Sequence, residues 1–298
     1  MGDSDRPRVV FFGSSSPFSR AAVESLCGIS EIAAVVVPSV RLGWRTWRGW
    51  RGFRKGNAAL VRLARARGIP VLEVAPGEQE GLARRLRARG DVDLFAVAAF
   101  PRRLTARLLQ IPRLGGLNLH PSLLPAHRGA TPLFWSYFGN DDETGVTVHV
   151  VDAELDTGGI VVQERVPLPR GTPLASLRAE LAARGAALLA QSVAAVHQGR
   201  AQPRPQDEGH ATSEPAAHLD TRWRQALRDW PAERLWHFLC GVGDEIGALT
   251  RHGAPLAHGR ALAYSAGTHD RAPGEIDDVA SGWRVYCIDG HVDVARRS

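Results

Sequence analysis

The run Asp93-Leu-Phe-Ala-Val-Ala-Ala99, closed by Phe100-Pro101, has strand length and no polar position after its first residue. A strand with one face in water alternates apolar with polar side chains, whereas a continuous apolar run is covered on both faces, as in the middle of a parallel sheet. Parallel neighbours need long crossover connections, usually helices. The chain supplies both parts. Arg8-Val-Val-Phe-Phe12 reads as a buried first strand, and the serines of Gly13-Ser-Ser-Ser-Pro17 can cap a helix begun near Pro17. Residues 32–37 form a second apolar strand stopped by Pro38, and 69–74 a third. Asn57 stands where it can cap a helix running to Arg67, and residues 79–89 and 104–110 read as further helices. This alternation predicts an α/β fold with an N-terminal Rossmann-like, doubly wound, mainly parallel sheet. Only Gly13 is present where the dinucleotide fingerprint needs three glycines, which excludes a nicotinamide site.

The chemistry-bearing stretch follows the central strand. In Gly115-Gly-Leu-Asn-Leu-His-Pro-Ser-Leu-Leu-Pro125, Asn118 and His120 lie two residues apart, so a strand presents both on one face. Pro121 and Pro125 then stop the strand, because proline cannot donate to a ladder. A second strand, 144–151, leads into Val151-Asp-Ala-Glu-Leu-Asp-Thr-Gly-Gly159, which offers Asp156 from a loop. Each residue alone has a bland reading, a capped strand or an acidic turn. Together, an amide, an imidazole and a carboxylate are the parts needed to move an acyl group to an amine without a covalent intermediate. Asp152, Glu154 and Asp156 imitate the start of a calcium loop, but Thr157 replaces its glycine and Gln163 its terminal Glu, so no metal is expected.

Beyond this point, a helix opens at Thr131-Pro132, residues 160–166 make a strand, and 174–198 a long Ala-rich helix ended by Gly199. The Pro- and Gln-rich stretch 202–209 reads as a linker. After it come one helix at 232–239 and short strand-like pieces near 245–251, 259–264, 274–278, 283–288 and 291–296, which suit a small C-terminal β-rich domain, an OB-like barrel. The predicted organisation is therefore a catalytic domain over 1–200, a linker over 201–209 and an OB-like domain over 210–298. With 298 residues, 44% of them hydrophobic, the chain can fill both cores. Three scattered cysteines without metal-ligand spacing, no signal-peptide h-region and no apolar run near the roughly 18 residues of a membrane span point to a cytoplasmic protein.

Charge is unevenly spread. Residues 210–298 hold 10 Arg against 12 Asp and Glu, a balance of −2, so the first 209 residues carry +8 of the net +6. The segment 41–55 has six basic residues and no acid, with Trp44, Trp47, Trp50 and Phe53 interleaved among Arg45, Arg48, Arg51 and Arg54. Its period of three would spiral around an α-helix, and with Gly43, Gly49 and Gly52 a basic aromatic loop is the better reading. Such a loop suits an RNA backbone, an anionic membrane surface or a solvated insertion.

At these residues the chain resembles the 10-formyltetrahydrofolate-dependent formyltransferases. The shared pieces are Phe11-Phe-Gly-Ser-Ser15, Asn118-x-His-Pro-Ser-Leu-Leu-Pro125, Arg128-Gly-Ala-Thr-Pro132, Thr144-Gly-Val-Thr-Val-His149 and Asp156-Thr-Gly158. The likeness is specific over residues 8–200 and weaker beyond 210, where it rests on Leu219-Asp220, Trp223, Pro273-Gly-Glu-Ile276 and Val285-Tyr-Cys-Ile-Asp-Gly290. It implies Asn118, His120 and Asp156 as the catalytic trio. The co-substrate, 10-formyltetrahydrofolate, would lie against the backbone of Val97, Ala98, Ala99 and Phe100, the loop Ser122, Leu123, Leu124 and Pro125, and the turn Asp152, Ala153 and Glu154. A protonated His120 and the Asn118 amide would donate to the developing oxyanion, with Asp156 favouring the imidazolium.

For the amine acceptor, the resemblance suggests contacts at Gly13, Ser14, Arg45, Arg48, Arg51, Arg128, Phe134 and Trp135. The basic loop favours methionyl-tRNA, carried by the initiator tRNA. The aromatics Phe134 and Trp135 and the slightly acidic C-terminal region resemble instead members that formylate hydroxyornithine, an amino sugar or a carrier-bound amino acid. A 10-formyltetrahydrofolate hydrolase and a non-catalytic binding module are the remaining readings.

Overall fold

The computed structural model describes residues 6–39, 57–216, 227–243, 249–251, 254–255 and 258–296. Strand β1 (Arg8–Gly13) leads to helix α1 (Pro17–Cys27), then β2 (Glu31–Pro38), α2 (Ala58–Ala66), β3 (Val71–Val74), α3 (Gln79–Arg87), β4 (Leu94–Ala98), α4 (Ala106–Leu109) and β5 (Gly116–His120). Next come α5 (Pro132–Gly139), the hairpin strands β6 (Glu143–Val150) and β7 (Ile160–Pro167), and the long α6 (Leu174–His197). The seven strands form one sheet in the order β3-β2-β1-β4-β5-β6-β7. The first five are parallel, and β6 and β7 run antiparallel at the edge.

Side chains alternate across this sheet as a pleat requires. Val9, Phe11, Leu94, Ala96, Leu117 and Leu119 face one core with α1, α2 and α6. Val10, Phe12, Phe95 and Val97 face the other, with Leu82 and Leu86 of α3 and Leu108 of α4. The apolar run of β4 is thus buried on both sides, as its composition predicts. Ser16 caps α1, its side chain accepting from the Phe18 N–H. Helix α2 differs from expectation: Asn57 precedes it but donates to the Pro38 carbonyl, and the Ser15 hydroxyl of the β1–α1 turn accepts from the N–H groups of Ala59 and Leu60 at 3.1 and 3.4 Å. Asn57 has φ −91° and ψ 4°, not the extended backbone that aims a capping side chain at its own helix.

The C-terminal region begins with α7 (Ala232–Phe238), which widens into a π turn at Leu239–Gly243. A two-stranded ribbon of β8 (Thr250–Arg251) and β9 (Ala254–Pro255) follows. Then β10 (His258–Ala266), β11 (Ile276–Val279), β12 (Gly282–Tyr286) and β13 (Gly290–Arg296) make an antiparallel sheet in the order β10-β13-β12-β11. Four of the five expected strands coincide with these; the fifth, near 245–251, lies largely outside the described residues, as do Leu219, Asp220 and Trp223.

The core of this region is continuous with the α6 side of the large sheet, through Trp230, Leu235, Phe238, Val242, Val292 and Val294. The junction is aromatic. Phe238 packs against Phe134, Trp230 and Phe138 at ring-centroid distances of 5.6, 5.4 and 6.3 Å, and the Arg234 guanidinium lies 4.2 Å from the Trp230 ring. Phe238 is fully buried. Truncating it to Ala should cost about 3–5 kcal/mol, read as a lower urea midpoint. Because the ring belongs to both regions, far-UV and tryptophan-fluorescence transitions should shift together.

Candidate active site

The helix layer formed by α3 and α4 covers β4 but does not extend over β5 and β6. Val97, which packs into that layer, pairs with Asn118 across the β4–β5 ladder, so the two side chains share a face. On β6, His149 lies opposite Asn118 and Thr147 opposite His120. Four polar residues therefore occupy the stretch of this face where the α3 and α4 layer stops. The opposite face of the same strands, Leu117, Leu119 and Val148, is ordinary core.

Asp156 comes to this face from the β6–β7 loop. The Asn118 amide nitrogen lies 3.0 Å from His149 Nε2 and 3.3 Å from Asp156 Oδ1. Asp156 Oδ2 accepts from the Gly129 N–H at 3.0 Å and lies 3.6 Å from His120 Nδ1. Burial works against the Asp156 carboxylate, but the charge that His120 takes up in acid, the contact with His149 and the Gly129 N–H outweigh it and hold the carboxyl at about 2. His120 behaves differently. Burial is the largest influence on it and pushes its pKa down, and Asp156 only partly opposes this.

Burial thus favours the neutral ring of His120 over the imidazolium that the resemblance implies. Its Nε2 lies 2.9 Å from the His127 carbonyl, so the ring proton sits on Nε2 and the Nδ1 lone pair faces Asp156. His149 places its Nδ1 2.8 Å from the Val150 carbonyl, which leaves Nε2 to accept from Asn118.

Three loops frame the trio. The Thr147 hydroxyl donates to the Ser122 carbonyl at 2.7 Å and accepts from the Leu124 N–H at 3.2 Å, while the Gln163 amide donates to the Leu124 carbonyl at 2.8 Å. The Asp156 turn is held from below and from the side. Gly158 lies so close to the Val150 carbonyl that any Cβ would collide with it, and Gln206 donates to the carbonyls of Asp156 and Gly158, each at 2.8 Å. Arg103 reaches from the β4–α4 segment to the Ala153 carbonyl at 2.8 Å. Ala99, His127 and Asp156 all adopt positive φ, 51°, 59° and 58°. Non-glycine residues hold that conformation only where their surroundings fix it.

The model of the family described as formyl transferase matches residues 50–193. A methionyl-tRNA formyltransferase of Roseiflexus sp. (strain RS-1) is 34% identical over 290 residues, 95% of this chain and 85% of that protein. The chain belongs to the formyl transferase family. Another methionyl-tRNA formyltransferase, of Synechococcus sp. (strain JA-3-3Ab), is 35% identical over 248 residues, 76% of this chain and 71% of that one. Among solved structures, WlaRD, a sugar 3N-formyl transferase crystallised with dTDP and 5-N-formyl-THF, superposes with a TM-score of 0.67 over 97% of each chain. At 12% identity, that likeness shows the fold.

Formyl transferase residues named from sequence fall into three groups. Asn118, His120 and Asp156 converge; of the expected folate segments, Val97 pairs with Asn118, and Ser122 and Leu124 bond Thr147 opposite His120. Several expected acceptor contacts are engaged elsewhere. Phe134 is 1% exposed and, with Trp135, belongs to the aromatic junction; the Trp135 indole donates to the Pro215 carbonyl at 3.0 Å. The Arg128 guanidinium is spent on Gln206 and Glu208 at 2.7–3.1 Å, which neutralises it inside the protein. Gly13 makes room for Ser19, and the Ser14 hydroxyl donates to the Ala99 carbonyl at 2.9 Å, so both stitch β1 to β4. Arg45, Arg48 and Arg51 lie outside the described residues.

Two residues escaped the sequence reading. His149 ends the shared Thr144–His149 motif, and antiparallel register with β5 is what turns it toward Asn118. Gln206 lay in a stretch that composition marks as a linker, yet Arg204 in that stretch bridges to Ile160 and Gln206 is buried.

A neutral buried His120 has a consequence for stability. Its folded pKa lies below the unfolded value of about 6.5, so the unfolded chain takes up the proton first as pH falls. Stability should be unaffected above about pH 6.5 and decline below it. Urea titrations at several pH values should show the margin between wild type and His120→Gln shrinking on acidification. A margin that grows on acidification would mean that the folded protein holds the ring charged.

Proposed function

We propose that this chain transfers the formyl group of 10-formyltetrahydrofolate directly to the amino group of methionyl-tRNA. The observation that carries the reading is the convergence of Asn118, His120 and Asp156 on one polar face, in a chain with methionyl-tRNA formyltransferases as relatives over up to 95% of its length. The family resemblance assigns the folate co-substrate to the segments 97–100, 122–125 and 152–154. Val97 pairs with Asn118, Thr147 anchors the Ser122–Pro125 loop, Arg103 reaches the Ala153 carbonyl, and Leu155 is 47% exposed beside Asp156 as an apolar contact, and these support the reading.

In this reading Asn118 is the donor to the formyl oxygen as negative charge builds there. Its 3.3 Å bond to Asp156 is the weaker of its two contacts and the one released to do so. A bond forms between the acceptor nitrogen and the formyl carbon, and the bond from that carbon to N10 breaks. The proton shed by the amine goes to the His120 Nδ1 and Asp156 Oδ2 pair, where a lone pair and a carboxylate face each other 3.6 Å apart. A proton between them turns an unfavourable contact into an ion pair, and the same proton can pass to the departing N10. His149 and Gln206 keep Asn118 and Asp156 in place.

Incubating the protein with 10-formyltetrahydrofolate and charged initiator tRNA, amino sugars or hydroxyornithine tests the assignment. Formyl-methionyl-tRNA is the expected product. Asn118→Ala should lose roughly 100- to 1000-fold in kcat, and His120→Ala or Asp156→Ala should abolish turnover while His120→Ala still binds folate. Near-normal rates in either, or formate released at full rate without any amine, would remove the reading.

The 41–55 segment bears on the acceptor. If it grips the tRNA acceptor stem, the tRNA affinity should fall log-linearly with salt, with a slope of about −0.9 per phosphate contacted. Replacing Arg45, Arg48 and Arg51 with Ala should flatten the slope and raise the tRNA KM, with the folate KM unchanged. Salt-insensitive tRNA binding by the intact protein, or a tRNA KM unaltered in the triple variant, would count against tRNA as the acceptor held by this segment.

A further inference from the structure

Segment 204–215 lies beyond the residues matched by the family model, yet it is laid along the loop that carries His120's partner. The Thr212 N–H donates to the Pro125 carbonyl and the Arg128 N–H to the Thr212 carbonyl, at 3.1 and 3.0 Å, and Ser213 bridges in parallel to Arg128. The Thr212 hydroxyl accepts from the His127 N–H at 2.8 Å. Within this frame His127 stands between two carboxylates from different elements. Its Nε2 lies 2.8 Å from Asp141 Oδ2, in the turn after α5, and its Nδ1 lies 3.4 Å from Glu214 Oε1 of the segment. Its carbonyl is the group that holds His120 Nε2 at 2.9 Å.

We propose that His127, clamped between Asp141 and Glu214, is a positioning residue that sets the tautomer and orientation of His120 and ties the C-terminal segment to the catalytic loop. The inference rests on the formyl-transfer reading of His120. Its physical basis is that the His127 carbonyl can point under His120 only while His127 keeps a φ of 59°. A residue other than glycine is strained in the left-handed conformation and keeps it when side chain and backbone are both anchored, as they are here. Nε2 is within hydrogen-bond distance of Asp141 and Nδ1 makes an ion-pair contact with Glu214, so both carboxylates favour the cation.

Burial alone would lower the His127 pKa, but Asp141 and Glu214 reverse this and raise it to about 9. The other charged or titratable neighbours are accounted for. His120 is neutral, Arg128 is neutralised by Glu208, and Arg170 spends its guanidinium on the carbonyls of Asn140 and Asp141 and on the Asp142 carboxylate. A raised folded pKa means that the clamp is complete below the unfolded value of about 6.5 and is lost as pH rises through about 9.

The test uses the full-length enzyme with 10-formyltetrahydrofolate and methionyl-tRNA, measuring kcat and both KM values between about pH 7 and 10. The amine acceptor itself contributes only an acid limb, since it must be deprotonated to attack. Wild type should show an alkaline fall in kcat near 9. His127→Gln should lose about 10- to 100-fold in kcat through misplacement of His120, with folate KM within about twofold and no alkaline limb. His127→Arg should recover most of the rate and stay flat to the highest pH, because guanidinium does not titrate there. Asp141→Asn should move the limb down by about one unit. If His127→Gln fails to fold, the Asp141→Asn profile decides. A limb that stays put in Asp141→Asn, or a wild-type kcat in a folded His127→Gln, overturns the proposal. NMR titration of the His127 ring, and the His120 ring nitrogen shifts in His127→Gln, test the clamp without turnover. Failure of formyl transfer in wild type with both NMR responses intact would therefore count against the activity and leave the clamp standing.

Discussion

The site depends on the pairing of β5 with β6. A parallel sheet is normally covered on both faces, and through β4 this one is. At β5 the next neighbour runs antiparallel and arrives by way of α5, so no crossover helix is laid over that face. The polar groups buried on this face would be costly to leave unpaired. The face is instead filled by cross-strand partners that satisfy one another, Asn118 with His149, and by Thr147, which anchors the Ser122–Pro125 loop. One change of strand direction thus creates both the opening and the scaffold.

Electrostatics follow from that enclosure. In a site this dry a carboxylate survives only with donors around it, and Asp156 has the Gly129 N–H and the Asn118 amide. His120, with weaker support, gives up its proton. The result is a single buried negative charge beside a neutral imidazole, a combination suited to accepting a proton from an incoming amine rather than to donating one in advance. In the proposed transfer, oxyanion stabilisation falls to the Asn118 amide, whose donor strength does not vary with pH.

The surroundings are held by elements distant in sequence. Gln206 braces the Asp156 turn and Thr212 braces the His127 loop. The aromatic junction at Phe134, Trp230 and Phe238 fixes the region that follows. Positive φ at Ala99, His127 and Asp156 is the local cost of aiming three loops at one point, offset by these long-range bonds.

Much of this was legible without coordinates, because it depends on local periodicity. The apolar runs of β1, β2 and β4, the two-residue spacing of Asn118 and His120, the proline stops and the loop position of Asp156 are properties of a few consecutive residues. Other features depend on register or on which charges meet, and these required the tertiary structure. His149 faces Asn118 only through the β5–β6 register, and Ser15 displaced Asn57 as the cap of α2 because a distant turn happened to reach it. Phe134 and Arg128 read as acceptor contacts by motif, but one is core and the other is neutralised by Glu208. The charge state of His120 could not be read from neighbouring residue types, because burial, the largest influence on it, exists only once the chain has closed around the ring.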